Sequence, residues 1–195
     1  MANSAHGGFD GGAQASDGTL EKDLNLQIAK KLEAFLLQGG YYVIMIRDDD
    51  VSIEEDPTQS IARRKVSDMK RRLEIINSNT DAIFISIHMN KFTSSSPSGA
   101  QVFYSPNDSR SQEVALQIQG TFKKLTQPDN DRMVKQANKS IYLLHRAEIP
   151  ALIVECGFLS NQRELALLKT EEYQIKTALA IYCGLFEYYG NQQEN

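Results

Sequence analysis

The sequence has no tryptophan and only two cysteines, Cys156 and Cys183. Two cysteines do not make a disulfide framework. Both lie in apolar stretches and read as buried free thiols, which leaves the redox compartment open. No apolar run approaches the ~20 residues of a membrane span. The amino terminus, MANSA, lacks the shape of a signal peptide, so residues 1–5 read as the cut end of a longer chain whose targeting segment is absent. Positive charge is not in excess either. Lysine and arginine number 21 against 25 acidic residues, a formal net charge of -4, which argues against a nucleic-acid binder working by bulk electrostatics. With no internal repeat and no linker, residues 1–195 are expected to form one domain ending in a polar tail at 190–195.

What is present is an ordinary globular composition, 41% hydrophobic and 24% charged over 195 residues, enough for one substantial core. Short apolar runs alternate with stretches of helical period. Leu24, Ile28, Leu32, Phe35 and Leu36 place a helix over 21–38, stopped by Gly39-Gly40. YYVIMI (41–46) reads as a buried strand. Pro57-Thr58 opens a second helix, with Ala62, Val66, Met69, Leu73 and Ile76 on its apolar face. Its many lysines and arginines, Arg72 among them, read as a solvated basic face. Strands follow at 82–87, 100–104, 141–144 and 151–154, with a polar, unpatterned stretch at 126–140. A third helix runs from Asp108 or Ser109 to about Leu125. Asn161 and Glu164 resemble a capping pair. Thr170 caps a last helix with Ile175, Leu179, Tyr182, Phe186 and Tyr189 inward. The alternation predicts an α/β fold in three layers, a mostly parallel sheet with helices on both faces.

Two residues break the apolar pattern where it should be strongest. His88 ends the strand DAIFISIH, and Glu155 ends the strand ALIVE. In open α/β sheets ligands bind beyond the carboxyl ends of strands, so both point to one crevice. The plainer reading of His88 is a histidine that closes a strand and bonds to backbone. His6 precedes a glycine-rich turn, HGGFDGGA (6–13), and Glu21 opens a helix, where the dipole favours a carboxylate. Two imidazoles and a carboxylate suit a catalytic zinc site with one open position. Their spacing fits no local metal motif such as HExxH.

The set HGGFDGGA (6–13), LEKDLNL (20–26), IRDDD (46–50), RRLEIINSNTDAIFISIHMN (71–90), SGAQVFY (98–104) and IPALIVECGFLSNQREL (149–165) resembles the Amidase_3 family of zinc-dependent N-acetylmuramoyl-L-alanine amidases. Within that family it is similar to the CwlD-like branch that serves the bacterial spore cortex. The resemblance implies His6, Glu21 and His88 as zinc ligands and Glu155 as the catalytic glutamate. Asn90 is implied as a lining residue toward substrate, and Asp10, Arg47 and Arg72 as structural positions. It implies cleavage of the amide joining N-acetylmuramic acid to L-alanine in peptidoglycan, during cortex maturation and germination. The implied location is outside the cytoplasm, with a regulatory or activating protein as a further partner. A zinc peptidase on a similar scaffold and a non-catalytic peptidoglycan-binding relative are the competing readings. His145 reads as a loop histidine near the cleft, and Cys156, alternating with Glu155, as a core residue. The sequence departs from the family before His6. Asn3-Ser4-Ala5 replaces the family's strand and its Asp-Pro-Gly, and no strand is expected there. His6 should then be weakly held, and zinc weakly bound unless a partner or substrate orders the entrance.

Overall fold

The computed structural model describes residues 1–54 and 56–193. In chain order the elements are β1 (Ala2–Ser4), α1 (Glu21–Gln38), α2 (Ile61–Asn77), β2 (Phe84–Asn90), β3 (Gln101–Tyr104) and α3 (Arg110–Leu125). β4 (Lys135–Gln136), α4 (Tyr142–Arg146), β5 (Ala151–Phe158), α5 (Gln162–Leu168) and α6 (Glu171–Gln193) complete it. One sheet runs in the order β1-β2-β5-β3-β4. β1, β2 and β5 are mutually parallel, β3 and β4 are parallel, and β3 meets β5 antiparallel.

Strand alternation sorts the two cores. On β2, Ile85, Ile87 and Met89 join Val102, Val154 and Cys156 under α1, α3 and α6. Phe84 points the other way, with Ile153 and Leu143, toward α2 and α4. Helices on both faces of a mainly parallel sheet are the three-layer architecture expected. By the same alternation His88 and Glu155 lie on the α2 and α4 face, and Cys156, fully buried, on the opposite one. Each fully buried large aliphatic contributes ~1.5–3 kcal/mol, so these strands are the most firmly held part of the molecule.

The structure corrects several local expectations. YYVIMI is not a strand. It meets the sheet at a single bridge, Ala2 to Met45, because its partner β1 is only three residues long, and Tyr42 is 89% exposed. Conversely, a strand does precede His6: Ala2–Ser4 pairs with Ile85–Ile87 and is buried. Residues 141–144 form most of α4 rather than a strand, placing His145 on a helix. β4 lies inside the stretch read as unpatterned, since two exposed polar residues carry no periodic signal. α2 starts at Ile61. Its buried stripe is Asp68, Arg72 and Ile76, whereas Val66 is exposed. Asn161 caps α5 as expected, but the Glu164 carboxylate accepts from Gly99 N and Phe158 N instead of closing a capping box.

α6 buries Tyr173, Ala178, Ile181, Leu185 and Tyr188, while Ile175, Phe186 and Tyr189 are exposed. This helix has apolar residues on more than one face, and Gly184 selects the seam. A Cβ there would come 2.6 Å from the Ile118 Cα, so α6 can lie this close to α3 only along that line. The helix also continues through the first residues of the expected tail, and 194–195 lie outside the described residues.

Candidate metal centre and active-site groove

The site assembles where β1 and β2 end and α1 begins. Glu21 occupies the first turn of α1, where its charge complements the helix dipole. Its Oε1 lies 3.1 Å from His88 Nδ1 and its Oε2 3.3 Å from His6 Nε2. Backbone amides fix both oxygens: Ala13 N donates to Oε2 at 2.8 Å and Met89 N to Oε1 at 3.2 Å. Burial alone would raise the Glu21 carboxyl; its bonds to His6 and His88 outweigh that and hold it well below the usual carboxylate range. One ligand atom from each of His6, Glu21 and His88 falls within 4.8 Å of the others. Two imidazoles and one ionised carboxylate converging this closely are the donor set of an open zinc site. The three residues fit a metal ion.

His6 is oriented from behind. Asp10 Oδ2 lies 2.9 Å from its Nδ1, leaving Nε2 to face Glu21, as a carboxylate behind a metal-binding histidine commonly does. Its backbone is in the left-handed region, φ 61°, a conformation that surrounding structure must impose. Two buried guanidinium groups help to impose it. Arg47 donates to Ser4 O (2.9 Å), Ala5 O (3.2 Å), Lys22 O and Asp49 O. Arg72 donates to Asp68, to Asn3 Oδ1, to Ser4 O (3.3 Å) and to His6 O (3.0 Å). His6 therefore sits at the end of a paired strand clamped by two arginines, which removes the premise that nothing holds the entrance. Arg72 is not part of a solvated basic face; its acceptors lie far off in sequence, so periodicity gives no sign of them. Gly12 closes the approach: a Cβ there would lie 2.7 Å from both Glu21 Oε2 and His6 Cδ2.

Glu155 stands beside His88 in register on the neighbouring strand, so the two side chains share a face of the sheet. Burial raises its carboxyl to about 7, with the negative charge of Glu21 adding to the shift against the two histidines, and its Oε2 has no hydrogen-bond partner in the protein. His6, His88 and Glu155 open onto a groove of about 470 Å³. Phe103, Ile141, Leu143 and Ile153 give it an apolar wall, and Lys65 and Asp10 line its polar side. Asn90 follows an irregularity in the pairing of β2 with β5 and is not on the groove wall; its carbonyl accepts from Leu159 N. Among the described residues, His145 is outside the metal-binding group. The apolar wall went unread in the sequence because it comes from α4, taken there for a strand, and from two separate strands.

The model of the Amidase_3 family, N-acetylmuramoyl-L-alanine amidase, matches residues 1–187. The chain belongs to this family. It is 36% identical over 184 residues to the germination-specific N-acetylmuramoyl-L-alanine amidase of Bacillus subtilis, covering 94% of this chain and 76% of that one. It is 31% identical to the amidase LytC of the same organism, of which it spans only 34%. The CwlD amidase of Clostridioides difficile, solved in complex with the GerS lipoprotein, superposes with a TM-score of 0.93 at 39% identity over 97% of this chain and 96% of that one. These two relatives are N-acetylmuramoyl-L-alanine amidases, the structural neighbour is an amidase, and this chain is an enzyme of that class. Among the described residues no helix is long and apolar enough to cross a membrane.

Proposed function

We propose that this chain is a zinc-dependent hydrolase that cleaves the amide between N-acetylmuramic acid and L-alanine of the peptidoglycan stem peptide, working outside the cytoplasm in spore cortex maturation and germination. One observation carries the reading: His6, Glu21 and His88 converge on one point, and Glu155 stands beside His88 with an unpartnered carboxylate oxygen. Relatives named for germination and for cell-wall amidase activity support the substrate and the setting. A neighbour solved with a lipoprotein supports a protein partner as well. On this reading residues 1–195 act as one catalytic domain, and Asn90 serves the outer rim of the site.

The mechanism follows from the residues. When bound by His6, Glu21 and His88, zinc would supply Lewis acidity toward a carbonyl and make a water more acidic. Asp10 keeps Nε2 of His6 facing inward, and the amides of Ala13 and Met89 keep Glu21 in place. Glu155, beside His88 and with an unpartnered carboxylate oxygen, is the group placed to accept and return a proton. It takes a proton from the attacking water and passes it to the nitrogen of the departing L-alanine. The apolar wall of Phe103, Ile141, Leu143 and Ile153 limits water around the reacting amide.

Product analysis on purified peptidoglycan tests the proposal. Zinc-loaded protein should release stem peptides with a free L-alanine amino group and leave the glycan intact. Chelation should abolish release, and Glu155→Gln should keep zinc yet lose at least about a hundredfold in rate. Shortened peptides still attached to glycan would identify a peptidase instead, and glycan binding without release a non-catalytic relative.

A further inference from the structure

We infer that Lys65 determines substrate specificity by binding the free α-carboxylate of the amino acid that follows L-alanine in the stem peptide. The assignment rests on the amidase reading above and adds to it the anionic feature that the groove selects.

The groove is rich in acid. Glu155, Asp10 and Asp68 line it, so an anionic group of the peptide held away from the metal centre needs a cation beside it. Arg72 is on the wall but is buried and committed to Asp68, Asn3, Ser4 and His6. Asp68 is committed in turn to Arg72 and to Ile53 N. Lys65 differs. Its side chain is 52% exposed, and among the described residues it pairs with Asp10 Oδ1 at 2.9 Å. Asp10 is already held by His6 Nδ1 and Gly12 N and does not depend on the lysine for its position. An ammonium has three donors, so Lys65 can keep Asp10 and accept a second carboxylate.

The reach is right. Lys65 Nζ is linked to the His6 ring through Asp10 by two contacts of 2.9 Å each. A carboxylate two residues along an extended peptide lies about 7 Å from the scissile amide, at roughly 3.3–3.6 Å per residue. When the second residue is joined through its side-chain carboxyl, its α-carboxylate is left free and unshielded at that distance. With the amide at the metal centre, this group is within reach of Lys65, which lines the same groove.

Two soluble muramyl peptides test the assignment, one with this α-carboxylate and one with the carboxamide in its place, both assayed with the zinc-saturated protein of residues 1–195. The wild type should favour the carboxylate about tenfold in kcat/KM, through KM, as expected for one charged hydrogen bond. Lys65→Met should lower kcat/KM on the carboxylate peptide and bring the ratio of the two peptides near one. Lys65→Arg should restore the preference, and Lys70→Gln, on an exposed part of α2, should leave it unchanged. Rising salt should erode the wild-type preference alone. A lysine that served only to steady Asp10 would slow both peptides equally and leave their ratio intact, which overturns the assignment. Equal cleavage of both peptides by the wild type also overturns it while the amidase reading stands. Cleavage of neither refutes the amidase reading and the assignment together.

Discussion

Replacing Arg72 with methionine should loosen the metal centre from outside it. The guanidinium is 2% exposed and donates to Asp68 Oδ2 at 2.6 Å, to Asn3 Oδ1, to Ser4 O and to His6 O. Methionine fills much of the volume but leaves the Asp68 carboxylate buried without its counter-ion. Removing one partner of a buried ion pair costs about 3–5 kcal/mol. Ile53 N still donates to Asp68 Oδ1, which places the expected loss near the lower end, about 3 kcal/mol. For a domain of this size that corresponds to a fall of roughly 6–12 °C in Tm. The same change frees the His6 carbonyl, while Ser4 O keeps only its bond from Arg47, so zinc affinity should drop by about 10–100-fold, the range for lost support behind a ligand. Lysine at this position, with three donors, can satisfy only some of these acceptors and should fall between. The double variant Asp68→Asn, Arg72→Met should recover stability without recovering zinc affinity, because it cures the unpaired charge but not the released strand. Urea unfolding in chelator and zinc titration against a competing chelator read the two effects separately. Phe122→Leu, in the opposite core, serves as a control that loses stability alone. A loss below about 1 kcal/mol, or zinc affinity unchanged in Arg72→Met, would refute the clamp.

Two further outcomes follow from the same geometry. Gly12→Ala places a methyl 2.7 Å from Glu21 Oε2 and His6 Cδ2 at a backbone φ of +68°, and should cost at least about tenfold in zinc affinity with little change in the far core; calorimetry of zinc binding checks it. The third outcome concerns pH in metal-free protein. Burial raises the Glu155 carboxyl from its ordinary 4.5 to about 7, so the native state holds this proton more tightly than the unfolded chain does. The stabilisation is complete below about 4.5 and is lost as pH rises through 7. Chelated Glu155→Gln should therefore gain about 2–3 kcal/mol on wild type between pH 5 and pH 8 in urea unfolding. An equal difference at both pH values would count against a buried, unpaired Glu155.

Much of the fold can be read from apolar runs and their period. FISI and ALIV are buried on both faces of their strands, and a strand of that kind needs a covered, largely parallel sheet wherever it occurs. α1 is legible to its last residue because Leu24, Ile28, Leu32 and Leu36 lie on one side and Gly39 follows. α6 is not legible in the same way, since its apolar residues allow more than one inward face and only the contact of Gly184 with Ile118 selects among them. YYVIMI has the composition of a strand, but pairing requires a neighbour of matching length, and β1 supplies one bridge.

The site divides along the same line. His88 and Glu155 stand out in the chain because an ionisable group ends an apolar strand, and that cost is visible in one dimension. Their common face follows from alternation once β2 and β5 are neighbours. His6, Glu21 and Asp10 could be matched to a family pattern, but the convergence of ligand atoms from His6, Glu21 and His88 to within 4.8 Å depends on the path of the chain. What the linear order could not contain is how His6 is held. Arg47 and Arg72 look like members of charged runs, and the three-residue strand before His6 looks like a loose end. Long-range packing turns those arginines inward onto the carbonyls of Ser4, Ala5 and His6, because buried backbone acceptors must find donors and these are the donors within reach.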